Sequence, residues 1–198
     1  IVDEDHHITD ENSKEQLTFQ TTASAVNNTQ LTNAATGNAP EIAAIGGDTN
    51  VDLNVNAKGT GRVTLGPAKI QQTAEKVTTE ATAATGTVNY DVLTQAVWNF
   101  TTNASGNWTL NIRGDGSTAL NSIMDTGESL TVAHVVAQGG TPYYNNAVQI
   151  DGSSVTPEYL GGSAPSAGNA NSLDVYSYTI IKTANATFTV LASLNQYA

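Results

Sequence analysis

The sequence predicts an all-β protein: a short β-rich trimeric shaft segment followed by an antiparallel β-sandwich or jelly-roll-like head. Three observations carry this prediction. Thr, Asn, Ala, Gly and Ser dominate, apolar residues recur at every second position, and clusters of Gly, Asn and Asp break the runs at short intervals. Thr and Val fit a pleated surface, and Asn and Gly fit its corners. With only 13% charged residues, the composition does not suit a helical enzyme.

Residues 1–16 (IVDEDHHITDENSKEQ) are charged, lack an apolar period and are expected to form a polar connector. The absence of Met at position 1 reads as an internal fragment or a processed product. His6 and His7 with their acidic neighbours offer metal-ligand chemistry. Adjacent side chains diverge in any regular element, however, so no metal site is expected there.

Residues 17–70 form the expected shaft segment, with strand candidates LTFQT, PEIAAIG, NVDLNVNA and GRVTLG. Val51, Leu53 and Val55 alternate with Asp52, Asn54 and Asn56, and Val63 and Leu65 alternate with Arg62 and Thr64. Each run offers two or three modest apolar side chains, too few to offset the entropy of ordering them. The segment therefore needs partners, most simply copies of itself around a threefold axis.

Residues 71–85 (QQTAEKVTTEATAAT) admit two readings. Ile70, Ala74, Val77, Ala81 and Ala84 are spaced as in two coiled-coil heptads, and Val77, Thr79, Ala81 and Ala83 give one face of a strand. From residue 86 to 198 the runs GTVNYDV, AVWNFTT, NWTLNIRG, SLTVAHVVA, NAVQID, SLDVYSYTII and ATFTVLASL are separated by turn clusters. Their number and spacing predict the sandwich. Its expected core is Trp98, Phe100, Trp108, Leu110, Ile112, Tyr176, Tyr178, Ile180, Phe188, Val190 and Leu191.

Several motifs suggest chemistry and are better explained as turns. KGTGRVTLG (58–66) has glycines spaced like a phosphate cradle, but its Lys precedes them and no helix follows, as a P-loop or dinucleotide fold requires. Gly59 and Gly61 are expected in a tight turn. Asp125-Thr126-Gly127 matches the aspartic-protease triplet, yet Glu128 stands where that family has a small residue. Arg113-Gly114-Asp115 spells an integrin tripeptide at a strand end. His134 lies in an apolar run and is expected as a packed sheet residue whose ring nitrogens are satisfied locally. Tyr143, Tyr144 and Asn145 in GGTPYYNNA are the candidate receptor contacts, because adjacent loop tyrosines offer flat amphipathic surface.

Seven basic against eighteen acidic residues argue against nucleic acid and anionic membrane as partners. No run approaches the ~18 apolar residues of a membrane span. Cysteine is absent, which excludes disulfides and thiol chemistry. No catalytic residue, metal or cofactor is predicted.

NVDLNVNAKGTGRVTLG resembles a segment repeated in fibre-like virion proteins of tailed phages, particularly marine phages that infect cyanobacteria. Runs of (D/N)-x-(D/N)-L-x-(I/V)-x-P-x-G-T-G-x-V follow one another there, and Ala57 stands where Pro is frequent. The C-terminal part is similar to a phage fibre end module through GTVNYDV, YLGGSAPSAGNANSLDVYSYTII and FTVLASLNQYA. Tyr159, Gly161, Gly162, Ala164, Pro165, Asp174, Tyr176 and Tyr178 occupy the motif positions, with Gly161, Gly162 and Pro165 read as structural. Trp, common in relatives at the Tyr159 position and near the last strand, is absent from both.

The resemblance covers roughly residues 48–198. It implies a homotrimeric virion fibre or appendage without catalytic residues, exposed on the phage particle and in contact with other virion proteins. A host cell-surface glycan or protein would be the partner in attachment. The alternatives are a capsid decoration, neck or tail-hub assembly protein, and a bacterial surface adhesin module.

Overall fold

A computed structural model describes residues 7–198, so His6 of the candidate metal pair lies outside the described residues. The all-β expectation holds, with 45% strand and 2% helix. The chain divides after Gly66 into two units.

In the first unit β1 (His7–Thr9) pairs with β2 (Glu15–Thr18), and β3 (Asn27–Thr32) pairs with β4 (Glu41–Gly46), both antiparallel. The span expected as a polar connector thus contributes to a hairpin. Asp10 shapes its turn by accepting the N–H groups of Asn12 and Lys14 at 2.9 and 2.8 Å. NVDLNVNA and GRVTLG, expected as strands, enter no sheet. A strand needs a neighbour for its ladder, and residues 47–66 find none among the described residues. No residue of 7–66 is buried. A two-stranded hairpin has no second layer to press against, so Leu31, Ile42, Val55 and Leu65 stay 64–73% exposed.

The second unit follows a different principle. β5 (Val77–Ala83), β7 (Val97–Thr102) and β9 (Ser129–Ala137) lie in one sheet, and β6 (Gly86–Asp91), β8 (Trp108–Arg113) and β10 (Asn145–Ile150) lie in another. Each strand is followed by a corner and then by a strand of the other sheet. Three successive rungs therefore stack, and neighbours within a sheet run parallel. The corners also stack: Ser105 donates its N–H to Ala84 O (3.2 Å) and Ala104 to Ala137 O (2.9 Å). Ala84 and Ala104 are buried there, where the chain turns inward and little volume remains.

The rungs are closed by β11 (Ser153–Val155), paired on β10, and by the long hairpin of β13 (Leu173–Ala184) and β14 (Thr187–Tyr197), paired on β9. β12 (Glu158–Tyr159) adds a short parallel edge to β14. The sheet orders are β11-β10-β8-β6 and β12-β14-β13-β9-β7-β5. A single helical turn, α1 (Leu120–Ile123), interrupts the connection from β8 to β9. Its first N–H groups donate to the carboxylate of Asp151 at 2.7 and 2.9 Å.

The antiparallel expectation is thereby corrected, since five of the eight pairings in this unit are parallel. Turn residues mark where a strand ends. They do not reveal whether the chain then reverses within its sheet or crosses to the facing one. The ambiguous stretch 71–85 resolves as strand over Val77–Ala83, but Val77 faces outward at 55% exposure while Thr78 and Glu80 share the inward side with Trp98 and Phe100.

Register builds the core in ladders. Val88, Leu110 and Val148 stand side by side, as do Tyr90, Ile112 and Ile150. Facing them, Trp98, His134, Tyr176 and Leu194 run across the other sheet. Each fully buried Leu or Ile contributes roughly 1.5–3 kcal/mol. The predicted core holds for most of its members, with Trp98 and Phe188 only partly buried. Leu191 is corrected, because Val190 takes the inward position and leaves Leu191 45% exposed.

Candidate functional site

The loops that carry the candidate receptor residues gather at one end of the second unit. There β5, β7 and β9 end and β13 begins, with Leu173 opposite Ala137. Gln138, almost fully buried, holds this end together. Its amide donates to Tyr143 O (2.7 Å) and to Asp174 Oδ2 (3.0 Å), and its carbonyl accepts the Tyr143 N–H (3.0 Å). Asp174 Oδ2 also accepts the N–H of Asn169 (3.2 Å), so one carboxylate ties the 138–144 loop to the 168–172 loop. Burial pushes the Asp174 carboxyl above its ordinary range. Gly168 belongs to this junction for steric reasons: a Cβ there would lie 2.3 Å from Tyr143 O and 2.9 Å from Asp174 Oδ2.

Tyr143 and Tyr144 are half-buried, the Tyr144 N–H donating to Asn107 Oδ1 (3.1 Å). Asn145 is corrected as a receptor contact, being 1% exposed and occupied within the fold. Its amide donates to Trp108 O (2.9 Å) and Ala147 O (2.8 Å), its carbonyl accepts the Tyr178 hydroxyl (2.8 Å), and its N–H donates to Tyr176 Oη (3.3 Å). Burial raises the hydroxyl pKa of Tyr176 and Tyr178 well above the ordinary value, which keeps both hydroxyls neutral, Tyr176 as acceptor and Tyr178 as donor.

Gly161 and Gly162 both adopt positive φ (81° and 79°) in an exposed turn, and Gly162 N–H closes it on Tyr159 O (2.9 Å). Pro165 is half-buried in the following loop. Of the motif residues that carry the phage resemblance, Asp174, Tyr176 and Tyr178 form the inward row of β13. Their part is packing and hydrogen bonding, not contact with a ligand at the surface.

The other motifs resolve as turns. Gly61 N–H donates to Lys58 O (3.1 Å), and Gly59 has φ +62° while Thr60 does not, the pattern of a type II′ turn. Glu128 N–H bonds Asp125 O (3.1 Å) and the Glu128 carboxylate accepts the Asp125 N–H (2.8 Å), so Asp-Thr-Gly-Glu is a self-closed turn. Arg113 is held against Asp91 at 2.6 Å, and Asp115 Oδ1 accepts the N–H groups of Ser117 and Thr118. Both charged members of the Arg-Gly-Asp triplet are therefore engaged within the fold.

His134 is completely buried between Trp98, Phe100, Trp108 and Tyr176, with ring centroids 5.0–6.4 Å away. The expectation of local partners for its ring is corrected: neither ring nitrogen has a hydrogen-bond partner, because the neighbours are aromatic rings, and burial pushes its pKa down to about 3. It is neutral. Among the described residues no three His, Asp or Glu side chains converge as metal ligands.

Two shallow depressions lie on the second unit. One, about 440 Å³, lies on the outer face of the six-stranded sheet and is lined by Glu158, Tyr159, Leu160, Ser177, Thr179 and Leu191, among others. The other, about 320 Å³, lies beside the Arg113–Ala119 turn. Sequence reasoning missed the first because its lining comes from three strands. Leu160, 82% exposed beside a Gly-Gly turn, was its one visible signal. No known protein family, curated protein or solved structure matches the chain.

Proposed function

We propose that this chain is a non-enzymatic structural protein of a tailed-phage particle, a homotrimeric fibre or appendage whose C-terminal sandwich serves as a head. The observation that carries the assembly reading is the first unit, where no residue of 7–66 is buried although apolar side chains alternate along it. Such a segment gains order by burying those side chains between copies. The phage assignment rests on the resemblance of residues 48–198 to fibre proteins. Host attachment through the loops around Tyr143 and Tyr144, weak per site and strengthened by multiple copies, fits that assignment.

Light scattering on the purified chain tests the assembly, with three 20.5-kDa chains per particle expected. A monomer at micromolar concentration removes the reading. Antibody labelling of virions tests the location: label at tail or appendage tips is expected, whereas label on capsid or neck, or none, refutes the fibre assignment.

A further inference from the structure

The two outer faces of the sandwich differ in chemistry. On the four-stranded sheet, outward Asn89, Asp91, Asn111 and Arg113 are linked sideways by Asn111–Asn89 (2.8 Å) and Arg113–Asp91 (2.6 Å) contacts. On the six-stranded sheet the inward row is fixed by Trp98, His134, Tyr176 and Val190, so the alternate residues point out. Val97, Val135, Val175, Thr179, Ile181 and Leu191 are among them. No Asp, Glu, Lys or Arg occurs in the outward rows of β5, β7, β9, β13 or β14. Lys182 and Asp174, the two charged residues of β13, are both buried on the other side. Leu160 (82% exposed) and Leu191 (45%) flank the 440 Å³ groove on this face, where Glu158 is the one charged lining residue.

A chain of net charge −11 repels its own copies wherever that charge is displayed. An uncharged face spanning five strands is where an equally charged molecule approaches at least electrostatic cost. Its size also suffices. Five strands at ~4.8 Å and about nine residues each at ~3.3 Å span roughly 24 by 30 Å, close to the ~800 Å² per partner of a stable interface.

We infer that the outer face of the six-stranded sheet is the docking surface for a second copy of this chain, with Leu160 as its projecting contact. The inference rests on the self-assembly reading above and adds to the first unit a second contact surface between copies. The chain has no cysteine, so single Ser193→Cys and Thr87→Cys variants report on the two faces without competing thiols. In the assembled protein, alkylation at position 193 is expected to slow at least tenfold relative to a dilute dissociated sample, while position 87 reacts equally in both. Equal reactivity at position 193 overturns the inference.

A Thr179→Asp/Leu191→Asp variant is expected to raise the concentration for half-assembly at least a hundredfold while keeping the thermal transition of the dilute, dissociated parent. Unchanged assembly of that folded variant removes this face and leaves the self-assembly reading standing. A parent chain that is monomeric removes both.

Discussion

The two units are built from the same residue types, with the same alternation of small apolar and polar side chains, and reach opposite ends. In the second unit each alternating strand meets a facing strand from its own chain, and Trp108, Leu110 and Ile112 become fully buried. In the first unit the alternation is present, but the second layer is missing. Alternation fixes which side of a strand is apolar. Only topology decides whether that side finds a cover.

Predictions that sharpen this contrast range from several kcal/mol to almost nothing. The largest concerns acid. His134 has a folded-state pKa of about 3 against an ordinary 6.5, so the unfolded chain binds its proton more readily. Its contribution to stability is complete above pH 6.5 and is lost as pH falls towards 3, on the order of 5 kcal/mol over that window. The difference in denaturant-derived stability between parent and His134→Leu should grow across that range in the variant's favour. A parallel pH dependence of the two proteins would refute the buried neutral ring.

Trp108→Ala should cost about 3–5 kcal/mol by urea unfolding, since it empties a fully buried site. Asn145→Ala comes next at roughly 3 kcal/mol, because it strands the Tyr178 hydroxyl and the Trp108 carbonyl. Full stability in that variant with loss of cell binding would return Asn145 to the receptor surface. Gly161→Ala should cost about 1–2 kcal/mol at its left-handed backbone position. Last, Leu31→Ala, at 73% exposure, should change the stability of a single chain by less than about 0.5 kcal/mol. A larger cost that increases with protein concentration would place Leu31 between copies.

The sequence made most strands of the second unit legible, because β-branched and aromatic residues alternate over six or more positions and turn residues bound them. It did not reveal their pairing sense, as Ala84-Thr85-Gly86 reads the same for a hairpin and for a corner between sheets. Val190 and Leu191 are adjacent and equally apolar, so the inward one could not be told from pattern alone. Asn145 misled for a definite reason. Counting back from Ile150 and Val148 puts it outside, but the register shift between Asn145 and Ala147 adds one residue and turns it in. In the first unit, β3 was hidden because NNTQLT lacks an apolar period, and residues 51–65 have the period without a partner strand.

The stacking of rungs has a consequence for how the chain reaches its fold. Strands that neighbour each other in a sheet are separated in sequence by a whole facing strand, so the early pairings close loops of 20 residues between Val77 and Val97, and 36 between Val97 and Ala133. The long hairpin of β13 and β14 is the one extensive local pairing of this unit, and it lies C-terminal to the other long strands. It also occupies an interior place in the six-stranded sheet, between β12 and β9. The six preceding long strands therefore depend on a template that lies after them in sequence. Folding of this unit is expected to be one cooperative step that waits for the β13–β14 hairpin, and not to proceed rung by rung from β5.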